Sequence, residues 1–161
     1  LGFNYGISPK KDLDHANGVT TLDLLLIQRH ILGLRDLGSP YKIIAADVTN
    51  DQAISVLDIV EARRLVLGTI DRFSNNQSWR FVDNAFKFTT NDPLNESFQE
   101  AINVEKLGEE QRNLDFIGVK IGDLNLSGFI YSCSGNDAAA ARAELVDPGG
   151  KDWNLNDDGC N

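Results

Sequence analysis

The chain has 161 residues, 42% of them hydrophobic, including eight Phe and two Trp, and a formal net charge of −9. That is enough apolar side chain for the core of one domain with appendages, and no apolar run reaches the roughly 18 residues needed to cross a bilayer as a helix. Without such a run no membrane insertion is expected, and the acidic balance argues against nucleic acid and anionic lipid as partners, because both demand clustered Lys and Arg. The chain begins at Leu1 and contains no Met, which reads as a processed product or a piece of something longer, with any signal peptide absent.

From Asp12 to Asp36 the sequence reads DLDHANGVTTLDLLLIQRHILGLRD, and 35 residues later, from Asp47 to Asp71, it reads DVTNDQAISVLDIVEARRLVLGTID. Aligned without gaps, the copies share Asp12/Asp47, Leu22/Leu57, Asp23/Asp58, Arg29/Arg64, Leu32/Leu67, Gly33/Gly68 and Asp36/Asp71. Each is a twelve-residue acidic loop running into an amphipathic helix, the pattern of the loop and exiting helix of a calcium-binding hand. Calcium takes about six to eight oxygens, which such a loop supplies from its first, third, fifth, seventh, ninth and twelfth positions, the seventh through a carbonyl. In the first copy these are Asp12, Asp14, Ala16, the carbonyl of Gly18, Thr20 and Asp23; Ala16 cannot ligate, so water takes its place. In the second they are Asp47, Thr49, Asp51, the carbonyl of Ala53, Ser55 and Asp58. Three like charges in one small loop repel, and a cation removes that cost, so the sequence predicts two calcium ions. The sixth positions hold Asn17 and Gln52 where glycine would make the turn most easily, and Gln52 should cost about 1 kcal/mol there.

Thr20 and Ser55 stand where helix N-caps are expected, with Asp23 and Asp58 three residues on in a capping-box spacing. Leu22, Leu25, Leu26, Ile27, Ile31 and Leu32 supply an apolar face to the first helix, and Leu57, Ile59, Val60, Leu65, Val66 and Leu67 to the second. Gly33 and Gly68 are natural stops because glycine accepts the left-handed conformation. Gln28/Arg29 and Arg63/Arg64 occupy equivalent outward positions, serving either as docking contacts or as a solvated face countering each helix dipole. Residues 37–46 read as a linker.

After Asp71 the pattern changes. Trp79, Phe81, Val82, Phe86 and Phe88 make an aromatic-rich extended stretch, Asn91-Asp92-Pro93 marks a turn, and Phe116 to Ile121 reads as a strand. Asp123, Asn125, Ser127 and Gly128 imitate the opening of a third calcium loop, but no acid follows at its twelfth position, so the segment reads as a turn. Asp137 to Val146 is a short helix candidate. Cys133 and Cys160 flank a Gly/Asp/Asn-rich stretch and suggest a disulfide, two free thiols being the alternative. The expected division is 1–71 for the repeats, 72–130 for an extended, partly β cover, and 131–161 for a disulfide-closed tail. His15 and His30 are isolated, and no nucleophile–base constellation or phosphate-binding glycine loop suggests itself, so no catalytic residue and no enzyme activity is expected.

Taken together, ADVTNDQAISVLDIVEARRLVLG and NGVTTLDLLLIQRHILGL resemble the two calcium-binding segments of a type I dockerin-like domain. SPYKIIAADVTND, SWRFVDNAFKF and DFIGVKIGDLN resemble the dockerin-like modules of secreted surface proteins of Bacteroidetes-type bacteria. The resemblance implies a mainly α fold of paired half EF-hands with irregular and β additions, and a secreted or cell-surface location. It implies docking to a cohesin-like module, and family contacts would fall on Thr21, Leu22, Val56 and Leu57, with Gln28, Arg29, Arg63 and Arg64 farther along. A neighbouring domain or copies of the chain itself are the other protein partners considered. The favoured reading is a calcium-ordered docking module; the alternative is a structural subunit that self-associates into an extracellular filament or surface assembly.

Overall fold

The computed structural model describes residues 4–90, 92–105, 114–128, 142–146 and 152–153, the last two stretches as backbone only. In chain order these carry β1 (Tyr5–Lys10), α1 (Thr21–Ile31), α2 (Pro40–Ala46), α3 (Val56–Val66), β2 (Trp79–Asp83), a 3-10 turn at Pro93–Asn95, β3 (Ile102–Val104), β4 (Phe116–Lys120), β5 (Arg142–Val146) and β6 (Asp152–Trp153). The architecture is three helices with two small antiparallel sheets.

The α1 and α3 boundaries follow from the residues at their ends. Thr20 and Ser55 are the N-caps, each closed by a capping box with Asp23 or Asp58. At the other end Gly33 and Gly68 take φ values of 65° and 66°. Leu34 donates to the Arg29 carbonyl and Thr69 to that of Arg64, both at 2.9 Å, the double-bonded glycine stop that satisfies the last carbonyls of a helix. The two helices contact one another directly.

The linker expected over 37–46 is instead mostly helix. Ser39 caps α2 and Pro40 occupies its first turn, where a missing N–H costs nothing. Seven residues are too few to hold a helix alone, and burial supplies the rest: Ile43, Ile44, Ala45 and Ala46 are all at most 4% exposed. The helix candidate at 137–146 also needs correction. Residues 142–146 form β5, antiparallel to β1 in the register Ile7↔Leu145; 137–141 lie outside the described residues. Helix propensity is a weak prior, and pairing with an open sheet edge outweighs it. The strand β1 carries no clear signal in the sequence, because Gly6 and Pro9 are poor strand formers.

One sheet has the order β3-β1-β5-β6, the other pairs β2 with β4. The main core joins Val19, Ile44, Ala45 and Val48 to Ala62 and Leu65 of α3, Phe73, Val82 of β2, and Val119 and Ile121 at β4. A second cluster gathers Ile27, Ala46 and Leu124, with Ile54 and Ile59 against it. The apolar faces expected for α1 and α3 are wider than what is buried. Ile27, Ala62 and Leu65 point inward, whereas Leu22, Leu25, Leu32, Leu57, Val60 and Leu67 are 39–64% exposed.

Candidate metal centre and docking face

The loop from 47 to 58 leaves α2 at Asp47 and enters α3 at Ser55. Asp47 Oδ1 accepts the Asp51 amide and Oδ2 the Gln52 amide, both at 3.1 Å, and Asp51 Oδ1 accepts the Ala53 amide at 3.0 Å. Asp58 Oδ1 accepts both the amide and the hydroxyl of Thr49 at 2.9 Å, and its Oδ2 accepts the Ser55 amide at 2.7 Å. The turn needs left-handed backbone at Asn50 (φ 57°) and Gln52 (φ 67°), so Gln52 adopts the unfavourable conformation its position demands. Asp47 is 2% exposed and Asp58 fully buried. Burial pushes the Asp47 carboxyl above its ordinary value, against the pull of the two amides, and the charges of Asp58 and Asp51 push it further. Buried like charges of this kind are what a bound cation relieves.

The equivalent region 12–23 is arranged differently. Asp23 keeps its helix-facing role: Oδ2 accepts the Thr20 amide at 2.8 Å and the Thr20 hydroxyl at 2.6 Å. Its Oδ1, however, accepts the amides of Leu124 at 2.8 Å and Asn125 at 3.1 Å. Asp12 is engaged elsewhere, accepting the Ser78 amide at 2.8 Å. Its Oδ1 also lies 2.9 Å from His15 Nε2. His15 is buried, edge-on to Phe73, and its Nδ1 accepts the Phe73 amide at 3.3 Å. The ring proton therefore sits on Nε2. Burial lowers the His15 pKa more than Asp12 raises it. Asp14 is exposed and, at φ 51°, turns the chain; Ala16 is exposed as well. The structure thus brings Gly18, Thr20 and Asp23 together, while Asp12 is committed to Ser78 and His15.

What meets the second half of this loop is the stretch 123–128, which reads as a simple turn in the sequence. Asp123, 4% exposed, accepts the Ser127 amide on Oδ1 at 3.1 Å and the Gly128 amide on Oδ2 at 2.7 Å. The Ser127 hydroxyl donates to the Gly18 carbonyl at 3.1 Å. Gly18 has φ 78°, and a Cβ there would lie 2.6 Å from Asp123 Oδ2 and from the Gly128 backbone. Only glycine fits. Lys120, whose pKa burial lowers to about 8, stitches the segment down from behind. Its Nζ donates to the His15 carbonyl at 2.8 Å and the Ile121 carbonyl at 3.3 Å.

Among the described residues no three carboxylate, imidazole or thiol side chains converge on one point, because the acids of both regions are drawn onto backbone amides. The donor chemistry nonetheless suits one class of ion. Carboxylates, hydroxyls and peptide carbonyls are hard oxygen ligands, which favour calcium or magnesium over the softer transition metals.

The residues expected to meet a partner lie on the outer sides of α1 and α3. Thr21, Gln28, Arg29 and Arg63 are exposed, as are Leu22 at 50%, Val56 at 62% and Leu57 at 61%. Arg64 is half exposed but tied to Glu61 at 3.1 Å. Glu61 in turn accepts the Ser74 hydroxyl at 2.7 Å and the Ser74 amide at 3.1 Å, so this arginine is partly structural. Neither arginine nor leucine on these faces is alone, since Leu25, Val60, Leu32 and Leu67 extend the apolar exposure. Cys133 and Cys160 lie outside the described residues.

Residues 10–67 match the model of the Dockerin type I domain family; the remainder of the chain lies outside that match. No curated protein and no solved structure matches the chain.

Proposed function

From the dockerin-like character of residues 10–67, we propose that this chain is a non-catalytic, calcium-ordered docking module of a secreted or cell-surface protein. The observation that carries the reading is the outer surface of the repeat. Leu22/Leu57, Leu25/Val60 and Leu32/Leu67 are exposed in the same 35-residue register on α1 and α3. Apolar side chains repeated on two rigid helices and left in solvent are a signature of an interaction surface. Thr21, Gln28, Arg29 and Arg63 flank them and give the surface its polar contacts, while Val56 adds to its apolar part. The partner is a protein: a cohesin-like module or a neighbouring domain.

Calcium would order that surface through its loops. Asp47, Thr49, Asp51, the Ala53 carbonyl, Ser55 and Asp58 would hold one ion, and the Gly18 carbonyl, Thr20 and Asp23 would contribute to another. Asp23 and Asp58 belong at once to a loop and to the first turn of a helix, so filling a loop fixes the helix that follows it. Among the described residues no helix is long and apolar enough to cross a membrane.

The test is a calcium titration by calorimetry on chelator-treated protein with circular dichroism alongside, followed by binding to a cohesin module with and without chelator. Bound calcium, loss of an ion in Asp58→Ala and partner binding abolished by chelator are the expected results. An absence of calcium binding would sink the reading. The repeated exposed leucines also suit a second reading, a subunit that associates with its own copies into a filament or surface assembly. Mass that rises with concentration in sedimentation would favour that alternative; a monomer at all concentrations would exclude it.

A further inference from the structure

The geometry points to a first calcium site built from two distant segments, with residues 123–128 supplying loop positions one to six and Gly18–Asp23 supplying positions seven to twelve. This rests on the calcium-binding reading above and replaces Asp12 and Asp14 by Asp123 and Asn125 as ligands. Joined end to end, the two segments read DLNLSG-GVTTLD, beside DVTNDQ-AISVLD in the continuous loop. An acid opens each, a second acid closes each, and Thr20 or Ser55 precedes the closing acid by three.

The atoms agree as well as the letters. In the continuous loop the first acid, Asp47, holds the amides four and five residues on; Asp123 does the same with Ser127 and Gly128. Closing acid Asp58 reaches back with Oδ1 to the amide at position three, Thr49. Asp23 reaches with Oδ1 to Asn125, the position-three residue of the other segment, 102 residues away in sequence. The remaining oxygen of each closing acid takes the amide of its own N-cap, Ser55 or Thr20. Position four is left-handed in both, Asn50 at 57° and Leu126 at 61°; a non-glycine residue in that region is uncommon, and a leucine there is a strained choice. Position two is fully buried in both, Val48 and Leu124. The break in the chain falls between Gly128 and Gly18, where the two backbones approach so closely that a Cβ on Gly18 has no room.

The pieces also explain one another. Asp123–Gly128 lacks an acid at its own twelfth position, and Asp23 supplies it. The first repeat has Ala16 where a ligand is wanted, and its Asp12 is spent on Ser78 and His15; the inserted segment supplies Asp123 at position one and Ser127 at position five. The hydrogen bonds of buried Lys120 go to the carbonyl oxygens of His15 and Ile121, although its charge attracts that of Asp123. With two carboxylates, Asp123 and Asp23, against three in the continuous loop, the split site should be the weaker one.

Calorimetry with calcium chloride on the full chain decides this, using Asp123→Asn, Asp12→Asn and Asp58→Asn, each checked by circular dichroism in chelator. The expected stoichiometry is two ions for the unaltered chain, one for Asp123→Asn with the tighter site retained, and two for Asp12→Asn. Two ions retained by Asp123→Asn, or a single ion in the unaltered chain that Asp58→Asn removes, would overturn the split site while leaving calcium binding intact. No binding by the unaltered chain would overturn the functional reading with it. Should Asp123→Asn not fold, backbone amide shifts in the unaltered protein serve instead. Movement of Leu124, Asn125 and Gly128 on calcium addition supports the split site; stationary signals there, with Ala53 and Ser55 moving, refute it.

Discussion

Asp58 and Thr49 are joined twice, the amide and the hydroxyl of Thr49 both donating to one carboxylate oxygen at 2.9 Å. The other oxygen caps α3 through Ser55, so a single fully buried side chain holds the loop to the helix even before any ion is considered. Asp58→Ala should therefore destabilise the protein in chelator by about 2–4 kcal/mol, from the lost cap and the unsatisfied donors left behind. Urea unfolding in chelator measures that cost separately from the loss of calcium.

Gly18→Ala and Gly33→Ala make an informative pair, since both glycines have φ between 65° and 78° but different surroundings. A Cβ at Gly33 meets nothing within 4 Å, whereas one at Gly18 would sit 2.6 Å from Asp123 and Gly128. The Gly33 change should cost about 1 kcal/mol, the price of left-handed backbone alone. Gly18→Ala should cost at least twice as much and detach the 123–128 segment. Thermal melts give the first number, and amide exchange at Leu124 and Asn125 reports the second.

Glu61 predicts a pH dependence. Burial raises its pKa, but the hydroxyl and amide of Ser74 and the charge of Arg64 outweigh burial and hold the carboxyl below its ordinary value. A carboxyl whose pKa is lower folded than unfolded contributes stability that is complete above the unfolded value, near 4.5, and is lost as pH falls through the folded one. Glu61→Gln should be less stable at neutral pH and show a flatter loss between about pH 5 and pH 3. Parallel slopes for the two proteins would contradict this assignment.

Leu22→Asp and Leu57→Asp separate surface from core. Both leucines are at least 50% exposed and lie in the first turn of a helix, where an acid is favoured by the helix dipole. Stability should stay within about 0.5 kcal/mol, while affinity for a docking partner falls at least tenfold. A large drop in melting temperature would show that these side chains pack in a way their exposure does not suggest.

What the sequence discloses here is what is local. The caps at Thr20 and Ser55, the stops at Gly33 and Gly68, and the strands at Trp79–Asp83 and Phe116–Lys120 depend on residues a few positions apart, and their spacing shows. The α2 helix was hidden because its stability comes from burying Ile43 to Ala46 rather than from periodicity over seven residues. Nor could spacing reveal the bond from Leu124 to Asp23, which spans 101 residues. The sole trace of it is a pair of imperfections: a loop opening at Asp123 without its closing acid, and a first repeat with an alanine at a ligand position.

The place of β1 between β3 and β5 has a consequence for how this chain reaches its fold. Ile7 faces Ile102 on one side and Leu145 on the other, so neither partner exists when β1 leaves the ribosome. Closing such long loops is entropically slow, whereas helices capped by their own residues form early. The helical repeat should collapse first around α2, with β1 waiting as an unpaired edge. Chains stalled before residue 102 would expose that edge, and it is there, rather than in the helices, that newly made molecules should be open to aggregation.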